Sequence, residues 1–100
     1  MKLAERQVLT LLTRAYCHLC DEMLAAVRPI AASHAVPLEI VDVDADPGLE
    51  AAYGELVPVL FAGAPAAGQE LCRYRLDRAR VLAALAGLRT KNAGRSRATG

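Results

Sequence analysis

One hundred residues make one domain's worth of chain, long enough to bury a core without disulfide or metal staples. The 54% hydrophobic share excludes a disordered chain, and with only four aromatic residues the expected core is Leu, Val, Ile and Ala. A net charge of +1 sets up no field for nucleic acid or an anionic membrane, and no apolar run reaches the ~18 residues of a membrane span, so neither partner is expected.

Glu5 and Arg6 interrupt the apolar stretch that a signal peptide needs, so none is expected and the cytoplasm is the default compartment. Val8-Leu9-Thr10-Leu11-Leu12-Thr13 is an apolar run of strand length, suited to burial on both faces. Arg14-Ala15-Tyr16 makes a corner, and a helical pattern follows. Leu19, Met23, Val27 and Ile30-Ala31 recur at helical spacing, while Asp21 and Glu22 occupy the first turn, where the macrodipole favours acids. Pro29 removes a backbone bond, which predicts a kink, and the helix is expected to finish near His34. Leu38 to Asp44 alternates apolar and acidic residues along most of its length and reads as a second strand, extended to Asp44.

Asp46-Pro47-Gly48 opens a short helix to Tyr53, with Asp46 as N-cap, Pro47 at the first position and Gly54 as the stop. Val57 to Ala62 is a third strand with a proline near its start. Residues 63–68 form a turn, and Gln69 to Arg75 pairs back as a fourth strand. Asp77 caps a last helix whose apolar stripe is Val81, Leu82, Leu85 and Leu88. The order β-α-β-α-β-β-α predicts one four-stranded mixed α/β sheet with helices on both faces. The domain is expected over residues 1–88, with eight basic against eleven acidic residues; residues 89–100 carry four basic residues and no acid, and read as a disordered tail.

Cys17-His18-Leu19-Cys20 lies where the first strand hands over to the first helix. A cysteine at a helix N-terminus faces unpaired N–H groups and the positive end of the macrodipole, both of which lower a thiol's pKa. The second cysteine, three residues on, lies one turn up the same face, within disulfide reach. Cys17 is therefore the expected nucleophile and Cys20 the resolving thiol, with His18 in its protonated form favouring the thiolate further. The competing reading of such a pair is half a zinc site, which needs two more ligands at ligand spacing. Cys72 and His34 are both lone, so no metal site is expected. Cys72 reads as a small buried hydrophobe, and Asp42, Asp44 and Asp46 as strand-edge and capping acids.

The strand before Cys17, the run Cys17-His18-Leu19-Cys20-Asp21-Glu22, the run Val41 to Pro47, and Tyr53-Gly54-Glu55-Leu56-Val57-Pro58-Val59-Leu60 together resemble the short bacterial glutaredoxin-like family of the thioredoxin superfamily. The likeness runs from about Gln7 to Leu88. It implies a thioredoxin-like fold and a cis-proline at Pro58 that packs beside the cysteine pair and turns Val57 toward substrate. Tyr16 stands where thioredoxins carry a tryptophan, which places it among the substrate contacts. By the same resemblance Arg14 supplies the positive charge that glutaredoxins place ahead of their cysteines, and Asp77 falls where they hold glutathione. The Gly-Gly stretch that precedes this Asp in glutaredoxins is missing: the segment reads Tyr74-Arg75-Leu76-Asp77.

The expected activity is dithiol–disulfide exchange on a protein or low-molecular-weight disulfide. No bound cofactor is expected, and either glutathione or a thioredoxin reductase supplies electrons. Two other classes stay open at this level: a redox-inactive binding module on the same fold, and a metal or cluster carrier using the two cysteines.

Overall fold

The computed structural model describes residues 8–65 and 68–86, so the segment assigned above to a basic tail lies outside it. Chain order is β1 (Leu9–Thr13), α1 (His18–Ser33), β2 (Leu38–Asp42), a 3-10 turn (Val43–Ala45), α2 (Pro47–Tyr53), β3 (Val59–Ala62) and β4 (Gln69–Arg73). Helical residues 78–86 follow as α3. The predicted order of elements is the observed one.

The strands form one sheet in the order β2-β1-β3-β4. β1 pairs parallel to β2, with Leu11 opposite Ile40, and antiparallel to β3, with Leu11 opposite Leu60. The helix between β1 and β2 is what allows their parallel pairing, because such strands need a long crossover. β4 pairs antiparallel to β3 with a bulge: Leu60 faces Cys72, but the adjacent Phe61 faces Glu70. The extra residue, Leu71, turns inward together with Cys72.

Alternation along the two central strands splits the interior into two clusters, one on each face of the sheet. Leu9, Leu11 and Leu60 join Met23, Val27 and Ile30 of α1 and Val81 and Leu85 of α3. Leu12, Val59 and Phe61 point the other way, to Val43, with Leu49 and Tyr53 of α2 packed against them. Tyr53 and Phe61 meet edge to face, their centroids 5.5 Å apart. Cys20, from the first turn of α1, joins this second cluster rather than the first.

Three strand boundaries differ from expectation, β3 beginning at Val59 rather than Val57 and β2 and β4 ending early, while α1 ends where expected. β2 stops at Asp42, because the Asp42 carboxylate accepts the Asp44 N–H at 2.9 Å and turns the chain into the 3-10 segment. β4 ends at Arg73, since Tyr74 has φ +69°, which no strand continues through. α1 runs through the exposed Pro29 to Ser33, and the His34 N–H closes it on the Ile30 carbonyl. Asp46 caps α2 as expected, accepting the N–H groups of Gly48 and Leu49. Gly54 ends that helix in a right-handed conformation; a side chain there would put Cβ 2.6 Å from the Glu50 carbonyl oxygen. Among the described residues, no helix is long and apolar enough to cross a membrane.

Candidate active site

β1 delivers the chain to the corner Arg14-Ala15-Tyr16, where Tyr16 adopts φ +59° and leaves its side chain fully exposed. That turn brings Cys17 to the N-cap of α1 in an extended conformation. Its sulfur accepts the Cys20 N–H at 3.1 Å, taking the place of the Ser or Asp oxygen usual at a cap. Its carbonyl accepts the Asp21 N–H, the first bond of the helix. Cys17 and Cys20 form a disulfide, with Cα atoms 5.2 Å apart. The two sulfurs are not equivalent: Cys17 is half-buried, while Cys20 is 2% exposed.

The segment before β3 comes to the same place. Val57 is buried in the cluster that holds Cys20 and that Cys17 packs against, and the Val57–Pro58 peptide bond is cis. The Pro58 carbonyl accepts the Tyr74 N–H at 2.9 Å. Among the described residues, neither the N–H nor the C=O of Val57 makes a backbone hydrogen bond.

The partly exposed Arg14 guanidinium meets a set of acceptors. Nη2 donates to Asp44 Oδ1 at 2.6 Å, Nε to Asp44 Oδ2 at 3.3 Å, and Nη1 to the Gly54 carbonyl at 2.7 Å. The bond to Asp44 raises the guanidinium pKa above its ordinary value. His18 is 85% exposed, with Nε2 2.9 Å from Glu22 Oε2 one turn along α1. Asp77 starts α3: its Oδ1 accepts the Arg80 N–H and its carbonyl accepts that of Val81.

A family model described as "Glutaredoxin-like domain (DUF836)" matches residues 8–86. The chain belongs to the glutaredoxin-like family. Protein Ne2328 from Nitrosomonas europaea, solved in solution, is 37% identical over 79% of this chain and 91% of its own, with a TM-score of 0.66. The X-ray structure of protein XcR50 from X. campestris gives 39% identity over 80% and 97%, with a TM-score of 0.59. Thioredoxin 1 from Thermosipho africanus matches at 20% identity over 84% and 97%, with a TM-score of 0.60, a likeness of fold alone. No curated protein sequence gives a significant match.

The fold thus brings Cys17, Cys20, Val57 and Tyr16 to one end of this glutaredoxin-like domain. It leaves Arg14 engaged by Asp44, and Asp77 engaged as a helix cap. Tyr74 was not singled out by its sequence. Its positive φ and its bond to Pro58 depend on pairing between β3 and β4, for which a lone aromatic at a strand end gives no signal. Nor were Asp44 and Gly54 expected as partners of Arg14, from which they are separated by 30 and 40 residues. Cys72 sits apart in β4, half-buried against the first cluster, and burial pushes its thiol up from the ordinary value.

Proposed function

We propose that this glutaredoxin-like chain is a dithiol–disulfide oxidoreductase in which Cys17 attacks and Cys20 resolves. The asymmetry of the pair carries the reading: a half-exposed sulfur at the helix cap, bonded to a buried one. In the reduced protein, the N–H on the Cys17 sulfur and the helix dipole both favour its thiolate. The thiolate attacks one sulfur of a substrate disulfide, whose S–S bond breaks; the leaving sulfur departs as a thiolate and takes a proton from solvent. Cys20 then loses its proton and displaces the remaining substrate sulfur from Cys17. That sulfur also leaves as a thiolate and is protonated, so the products are the 17–20 disulfide and two substrate thiol groups, two electrons having passed to substrate. A thiol or dithiol reductant returns the protein to its starting state.

His18 adds positive charge beside Cys17 when protonated, but the Glu22 carboxylate offsets it, so activation is assigned chiefly to the backbone. The N–H and C=O of Val57, which make no backbone hydrogen bond among the described residues, support pairing with an extended substrate segment, and the exposed Tyr16 supports a further contact to it. The substrate class is a protein or low-molecular-weight disulfide. Glutathione or a thioredoxin reductase acts as electron source, and a reducing cytoplasm is the setting in which such a pair turns over.

Paired variants test the reading. Cys17→Ser is expected to lose all disulfide reduction, whereas Cys20→Ser accumulates a mixed disulfide at Cys17, visible by mass spectrometry. Assays with glutathione plus its reductase, set against thioredoxin reductase, identify the donor. If the wild-type protein reduces no disulfide with either donor, and Cys17→Ser still holds a cellular partner, the fold serves as a binding module and the proposal is wrong.

A further inference from the structure

We propose that Arg14 is a positioning residue that ties the loop presenting Cys17 to the loop presenting Val57, and is not a receptor for the carboxylates of glutathione. The activity part of this proposal rests on the oxidoreductase reading above; the tie itself does not.

Arg14 lies three residues before Cys17, and Gly54 lies three residues before Val57. The guanidinium spans the interval between the two segments. Its Nη1 holds the Gly54 carbonyl, and its Nε and Nη2 hold both oxygens of Asp44. The Gly54 N–H is bonded to the Glu50 carbonyl and the Leu56 N–H to the Tyr53 carbonyl, each at 2.8 Å, so among the described residues the bond from Arg14 to the Gly54 carbonyl is the hydrogen bond that joins this turn to the β1 corner. Asp44 is steadied in turn, its N–H bonded to Asp42.

The electrostatics oppose the receptor role. An anion approaching Arg14 meets Asp44 in bidentate contact and Glu50 Oε2 at 3.6 Å from Nη2. Two carboxylates already face one cation, and the Arg14 side chain is 30% exposed. The planar fork also matters. A lysine placed there has its donors on one nitrogen and cannot reproduce the three separate contacts that Nε, Nη1 and Nη2 make.

The two roles predict opposite signs for Asp44→Asn. Freeing Arg14 from a carboxylate strengthens an anion receptor but loosens a tie. The experiment follows oxidation of pre-reduced wild-type, Arg14→Met, Arg14→Lys and Asp44→Asn proteins by three disulfides. These are bis(2-hydroxyethyl) disulfide, an uncharged cystine peptide and glutathione disulfide. Amide exchange at Gly54, Leu56 and Val27 is measured on the same proteins. We expect all three variants to slow the peptide reaction by about tenfold, since small misplacements of paired groups carry such costs. The hydroxyethyl disulfide, which is too small to pair along Val57, changes by less than about twofold, and Asp44→Asn gives no gain with glutathione disulfide. Exchange at Gly54 and Leu56 rises by about tenfold, while Val27 in α1 is unchanged.

Faster reaction of Asp44→Asn with glutathione disulfide, or rescue by Arg14→Lys, overturns the proposal. So does unaltered exchange at Gly54 and Leu56. A wild-type protein oxidised by none of the three disulfides defeats the oxidoreductase reading instead, and the exchange measurement then decides the tie alone.

Discussion

Three cysteines in one small domain are distinguished by where the backbone puts them. Cys17 caps a helix and receives an N–H, whereas Cys72 lies on an edge strand opposite Leu60, half-buried against the first cluster. Burial pushes the Cys72 thiol up. A thiol held protonated is a poor nucleophile. In the reduced protein near pH 8, iodoacetamide is therefore expected to label Cys17 first and Cys72 several-fold more slowly than a free cysteine, a rough factor set by the thiolate fraction. Peptide mapping against time reads both rates, and unfolding in urea should erase the difference. Equal labelling of Cys72 and a free cysteine in the folded state would contradict the burial assigned to it.

Among the elements, β4 shows how a local irregularity changes which side chains can meet. Residues three apart on a regular strand lie on opposite faces, yet Arg73 donates to both oxygens of Glu70, at 2.7 and 3.0 Å. The bulge at Leu71 shifts the alternation by one, so Glu70 and Arg73 face the same side, opposite Phe61 and Val59. The bonds from Arg73 lower the Glu70 pKa from its ordinary 4.5. A carboxylate with a lowered folded pKa adds stability above its unfolded pKa and loses it as pH falls through the folded one. Glu70→Gln is thus expected to cost about 0.5 kcal/mol at neutral pH, the scale of a partly exposed pair. The gap between variant and wild type should close as pH drops below 4.5 and through the lower folded value. Thermal unfolding across that range measures it, and a constant gap would show that the pair contributes nothing electrostatic.

At the scale of the whole molecule, the sheet separates a structural core from one that also carries the site. Leu60 and Leu12 are both fully buried on central strands, but they face opposite clusters. Truncating either to alanine is expected to cost about 2–5 kcal/mol in urea unfolding. Function should tell them apart. Leu12 shares its cluster with Cys20 and Val57, so Leu12→Ala also slows disulfide exchange, while Leu60→Ala leaves the exchange rate of the folded fraction close to wild type. Equal kinetic effects would mean that the two faces are not mechanically separate.

The sequence by itself determined the order of elements and the pairing of Cys17 with Cys20, because both rest on short-range physics. Apolar spacing set α1, Asp46 and Pro47 set the start of α2, and a separation of three between cysteines at a helix start put two sulfurs on one face. Boundaries were less legible where one pattern served two structures. The alternation from Leu38 to Asp44 suits a strand throughout, but the side chain of Asp42 ended it early. The partners of Arg14, the meeting of Tyr74 with Pro58, and the shared face of Glu70 and Arg73 were decided only by tertiary structure. The first two join segments that only sheet pairing brings together, and the third follows from a bulge that exists only once β4 has docked on β3. Local propensity carries no record of such contacts, which is why Arg14 read from its neighbours alone looks like a free cation and in the folded chain is a strut.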